Sequence, residues 1–205
     1  MGFCNTLLAI FKRASEKYQS DPIHIVVCQG PNNSGERMAR ALKNEACDVS
    51  FITDSSMYVA LQQGVNKVIL GSKLILGDGS CVVSSGTHTL AAICAKQRNL
   101  PVIIAAGTHK FSTIFPNDCQ TMHGNLVNTL SHIKLENKKH SDSNVTLQYP
   151  EVQDIIDPKS DIINNDCVDL LLVNDVAHTP GFVYRKLNEM YPLEEIHNLE
   201  GSSKF

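Results

Sequence analysis

The 205-residue chain carries 18 basic and 21 acidic residues, a formal charge of −3, with 42% apolar and 19% charged residues. That length and apolar share suit one domain, residues 1–205, with its own core, and exclude a disordered chain. The near-neutral balance gives no general attraction to nucleic acid or acidic bilayers, and no apolar run nears the roughly 18 residues of a membrane span.

At the amino end, Met1-Gly2-Phe3-Cys4-Asn5-Thr6 fits the loose N-myristoylation pattern, with Cys4 available for a second acyl chain. The competing reading is a helix over residues 4–18 that turns Leu7, Leu8, Ile10 and Phe11 toward a core. The apolar stretch is too short for a secretory signal and runs straight into Lys12 and Arg13. Residues 24–28 (HIVVC) read as a buried strand, followed by a Gly30–Gly35 turn and a helix over 34–46. A second strand is expected at 48–53, and Ser55 or Ser56 can cap a helix reaching Gln63. The third strand falls at 67–70. Gly77-Asp78-Gly79 then turns the chain between 74–76 and 81–83, a small hairpin. A helix over 87–98, strands at 102–105 and 168–174, and a helix over 181–190 complete the pattern. The stretch 117–165 is polar and without sustained period; it reads as a long connection, mobile around residues 136–144.

Strands alternating with helices of 10–13 residues indicate βαβ units. The strands are continuous apolar runs, as expected where both faces are covered. The fold expected is therefore α/β: a doubly wound, mostly parallel Rossmann-like sheet with helices on both faces and the small hairpin.

Seven cysteines at irregular spacing make neither a zinc knuckle nor a CxxC pair, and read as reduced thiols in a cytoplasmic protein. Eight histidines show no metal-binding spacing, so neither a metal nor a cofactor is expected. Gly30–Gly35 has P-loop spacing, but Glu36 and Arg37 stand where lysine and a hydroxyl are needed, which excludes nucleotide triphosphate binding of that type. Ser85, Gly86, Thr87 and His88 form the better anion candidate: hydroxyls, a glycine and free N–H groups at a helix start. Plain capping by Ser85 or Thr87 explains the same residues more simply. No catalytic set is complete.

The blocks Val65-Asn66-Lys67-Val68-Ile69-Leu70-Gly71-Ser72-Lys73 and Gly86-Thr87-His88-Thr89, followed by Pro101-Val102, Lys110-Phe111 and Phe115-Pro116, stand together. They resemble the carboxy-terminal domain shared by the alpha, beta and delta regulatory subunits of eukaryotic translation initiation factor 2B. Gly71-Ser72-Lys73, the Gly86–Thr89 turn and the stretch Tyr184-Arg185-x-Leu187-x-Glu189-Met190-Tyr191 are beta-like. The resemblance runs from about residue 7 to 197, starting at the last helix of an amino-terminal helical domain that such subunits carry. It implies a non-catalytic subunit of the guanine nucleotide exchange factor for initiation factor 2. Such a subunit assembles with delta, alpha, gamma and epsilon types, senses phosphorylated initiation factor 2 alpha, and homodimerises when isolated.

The same fold serves sugar-phosphate isomerases, and the resemblance implies that their machinery is missing here. The isomerase carboxylate falls on Lys73, which cannot accept and return a proton in its place. The phosphate-clamping arginine falls on Gly30, the Asn-Lys pair on Val83 and Ser84, and the catalytic cysteine upstream of the match. The alternatives kept open are an isomerase with rearranged residues and a sugar-phosphate or nucleotide sensor working through residues 85–88.

Overall fold

The β-branched runs form parallel strands and the amphipathic stretches cover them on both sides, in a computed structural model that describes residues 4–18, 23–30, 33–44, 47–116, 160–174 and 176–191. In chain order the elements are α1 (Asn5–Lys17), β1 (His24–Cys28), α2 (Ser34–Asn44), β2 (Asp48–Ile52), α3 (Met57–Gln62), β3 (Val68–Gly71) and β4 (Leu74–Ile75). They continue as β5 (Cys81–Ser84), α4 (Thr87–Gln97), β6 (Val102–Ala106), β7 (Ser160–Ile163), β8 (Leu170–Val173), β9 (Val176–His178) and α5 (Phe182–Met190). The chain is α/β with parallel sheets and helices, as expected.

Its hydrogen bonding departs from one continuous sheet. β1 pairs with β2, and β3, β6 and β8 form a separate parallel ladder with β9 antiparallel at its edge. β4, β5 and β7 make a small antiparallel sheet. Helices cover both faces because residues alternate along each strand. Val68, Leu70, Val102, Ile104, Leu171 and Val173 join the larger core with α3, α4 and α5, whereas Ile69, Ala105 and Leu172 turn to Leu7 of α1 and to Met38 and Leu42 of α2. The stripe expected on the first helix is realised: Leu7 is buried, and Leu8, Ile10 and Phe11 pack beside it. Residues 1–3 of the acylation pattern lie outside the described residues.

The hairpin forms as expected. The turn N–H of Gly79 (φ +88°) donates to the Leu76 carbonyl at 2.9 Å, and the Asp78 carboxylate takes the Ser80 N–H and hydroxyl. A Cβ on Gly79 would stand 2.6 Å from the Pro180 carbonyl oxygen, so this turn admits only glycine.

Three expectations need correction. The stretch 117–165 is expected to be a connection, yet Ser160–Ile163 is strand β7, laddered against β5; the rest of the stretch up to residue 159 lies outside the described residues. Its four residues are buried at the two ends, Ser160 and Ile163, which leaves no alternating signal. β9 was missed because it is an exposed edge strand of three residues after a turn at Asn174. Neither Ser55 nor Ser56 caps α3; both hydroxyls lie 3.0 Å from Thr53 Oγ1 in a 3-10 turn over Asp54–Ser56.

Candidate functional site

In an open α/β sheet the segments leaving the carboxyl ends of parallel strands converge on one edge, where ligands are usually bound. Here Gly30 follows β1, Asp54 follows β2, Ser72 and Lys73 follow β3, and a 3-10 turn over Thr108–Lys110 follows β6. α4 starts at the same edge.

The two turns singled out as anion candidates are brought together by Asp54. Its Oδ1 accepts the Gly30 N–H at 3.0 Å and its Oδ2 accepts the Thr87 hydroxyl at 2.7 Å. Gly30 has φ +67°, which turns its N–H without the penalty a side chain would bring. Gly86 has φ +79° and ψ −87°, and the Thr87 N–H bonds the Ser85 carbonyl across it at 3.2 Å, a γ-turn. No side chain caps α4; the hydroxyl of Thr87 is committed to Asp54, and the Leu90 N–H donates to the Gly86 carbonyl. The capping reading of Ser85 and Thr87 is thus replaced by a carboxylate from the 3-10 turn that follows β2.

His88 is buried, and its Nδ1 has no hydrogen-bond partner among the described residues. Burial, reinforced by neighbouring positive charge that includes Lys73, pushes its pKa down from 6.5 to about 4, so the ring is neutral at physiological pH.

Lys73 reaches across the small sheet to donate to Ser160 Oγ at 2.6 Å, and Ser84 stands opposite the same Ser160 in the β5–β7 ladder. Val83 is fully buried in the larger core, away from any polar role. Lys110 donates to the Ser72 carbonyl at 2.7 Å, joining the ends of β3 and β6. Thr89 of α4 donates to Asp161 at 2.6 Å. Burial raises the thiol pKa of Cys28 and, with help from Asp78, pushes that of Cys81 up to about 12, so neither is a thiolate. Among the described residues no three His, Cys, Asp or Glu side chains gather as metal ligands.

Of the residues singled out from the sequence, the turn at 85–88, Gly30 and Lys73 lie along this edge, whereas Asp54, Ser160 and Asp161, which bond them, carry no motif. Asp54 had one usable signal, an acidic residue immediately past a predicted parallel strand. Ser160 and Asp161 had none, because their strand sits in a polar stretch.

This edge is held together by its own side chains on an α/β scaffold, and known proteins share the scaffold. The chain belongs to the initiation factor 2 subunit family, whose pattern matches residues 1–174. Two relatives are each a "translation initiation factor eIF2B subunit beta". That of Dictyostelium discoideum is 29% identical over 96% of this chain and 47% of its own length; that of Schizosaccharomyces pombe is 30% identical over 92% and 45%. This chain thus spans about half the length of these relatives. Among solved structures, the translation initiation factor eIF-2B of Pyrococcus horikoshii superimposes with a TM-score of 0.67 at 21% identity, over 87% of this chain and 56% of its own. Subunit delta of the A. fulgidus factor superimposes at 0.61 and 23%, over 81% and 45%. Both share the fold.

Proposed function

We propose that this chain acts as a non-catalytic, beta-type regulatory subunit of the exchange factor for initiation factor 2. It works in the cytoplasm by assembling with delta, alpha, gamma and epsilon types and by sensing phosphorylated initiation factor 2 alpha. The observation that carries the reading is Asp54. At the edge where this fold binds ligands, the chain's own carboxylate takes the Gly30 N–H and the Thr87 hydroxyl. The remaining isomerase positions are spent on structure: Lys73 on Ser160, Ser84 in a ladder and Val83 in the core. A neutral His88 with a pKa of about 4 is also a poor base for moving a proton at neutral pH. The test is an assay of the purified chain on aldose 1-phosphates. No turnover is expected, and Lys73→Met or His88→Gln should change stability only. Turnover abolished by either substitution would overturn the reading.

One observation favours the metabolite-sensor alternative: the buried, unpartnered Nδ1 of His88 beside the Gly86-Thr87 turn. It predicts that a sugar phosphate raises the melting temperature without being converted, and that His88→Gln removes the shift.

A further inference from the structure

A cavity of about 870 Å³ lies between β1 and β3, lined by residues 23–28 on one side and 63–69 on the other. Leu7, Ile10 and Phe11 of α1 and Met38 and Leu42 of α2 cover one face of it, and Met57 and Leu61 of α3 the other. Its walls are fixed by packing. α1 rests on α2, β3 and β6, α3 rests on α4, and one apolar cluster joins Ile25, Val27, Met38 and Leu42 to Ile69. The space is therefore preformed, and its volume falls within the roughly 300–1,000 Å³ usual for small-molecule pockets. The lining follows all five residues of β1, about 16 Å at 3.3 Å per residue, a length that suits an extended chain better than a compact ring system.

Polar side chains gather at one end of this apolar space. His24 begins β1, and Gln63, Asn66 and Lys67 lead into β3; all four are exposed, so the mouth lies at the amino edge of the strands. Half-buried Ser50 stands beside them, its Oγ 2.7 Å from His24 Nε2. Among the described residues no carboxylate lines the cavity, and the Lys67 side chain makes no hydrogen bond or ion pair. An apolar shaft with a lysine and no acid at its mouth fits a ligand with one apolar chain and one negative head. Burial of the chain supplies the affinity, and the lysine sets the direction of entry.

We propose that this cavity binds a fatty acid, its chain lying along β1 and its carboxylate meeting Lys67 at the mouth. The site opens at the edge opposite Asp54, Thr87 and His88, and it does not depend on the function proposed above.

Titration of the whole chain with cis-parinarate, a fluorescent fatty acid, and its displacement by laurate test the proposal. One saturable site per chain is expected, from which laurate displaces the probe. Ala60→Phe fills the cavity from α3 and should weaken laurate roughly tenfold or more, the scale of overpacking. Ala14→Phe fills it from α1 and should act alike, which keeps the test decisive if the first variant does not fold. Lys67→Met should weaken laurate about fivefold, the scale of an exposed ion pair, while leaving uncharged 1-dodecanol within about twofold. Leu90→Ser, on the exposed face of α4 outside the lining, should change neither. Absence of saturable binding would overturn the proposal. So would laurate binding that neither filling variant weakens, that Leu90→Ser weakens as much, or that Lys67→Met weakens no more than it weakens 1-dodecanol.

Discussion

His88 and Lys73 show how single side chains at this edge serve the fold. The His88 ring is buried and neutral, with a pKa of about 4 against 6.5 when exposed. A depressed histidine pKa means that the unfolded chain takes up the proton first. Its contribution to stability is complete above about pH 6.5 and is lost as the pH falls toward 4. The loss expected is on the order of 3 kcal/mol at the acid end, from roughly 1.4 kcal/mol per pKa unit. Urea midpoints measured across that range should fall steeply for the unaltered protein and less steeply for His88→Gln. Lys73 makes a half-buried hydrogen bond to Ser160 that ties β7 to the hairpin region. Lys73→Met should therefore cost about 1–2 kcal/mol in denaturant titration, the range for a bond made by a charged donor.

At the scale of elements, glycines separate two kinds of constraint. Gly35 opens α2 so close to β1 that a Cβ there would stand 1.8 Å from the Cys28 carbonyl oxygen. Gly64 has φ +94° but nothing within 4 Å of the added carbon. Gly35→Ala should then cost upwards of about 4 kcal/mol, because backbone must move, while Gly64→Ala should cost about 1–2 kcal/mol of conformational strain. Thermal denaturation of the two variants, compared side by side, checks the order. The elements legible in the sequence were those whose signal is local. Continuous apolar runs marked β1, β3, β6 and β8, an apolar stripe marked α1, and Gly77-Asp78-Gly79 marked the hairpin. β7 and β9 were illegible because their stability comes from a partner strand distant in sequence or adjacent at an edge, and their own residues carry no period. The position of Asp54 past a strand was legible, but its bonds were not, because its partners Gly30 and Thr87 lie 24 and 33 residues away.

At the scale of the whole molecule, exposed apolar side chains outnumber what a catalytic cleft would use. Leu90 and Ile93 project from α4, Tyr58 and Val59 from α3, and Tyr184, Met190 and Tyr191 from α5 and its end. Leu90 and Ile93, three residues apart, lie on one face of α4. A subunit that works by contact places apolar surface outside, and the edge where chemistry would occur is occupied by the chain's own Asp54, Lys73 and Lys110 contacts. The proposed function through assembly is checked by what the chain binds in the cell. The tagged chain is purified from its own cells and the proteins that accompany it are identified by mass spectrometry. Delta-, alpha-, gamma- and epsilon-type subunits should be recovered together with initiation factor 2. Recovery of the chain alone, or only as a homodimer, would contradict it.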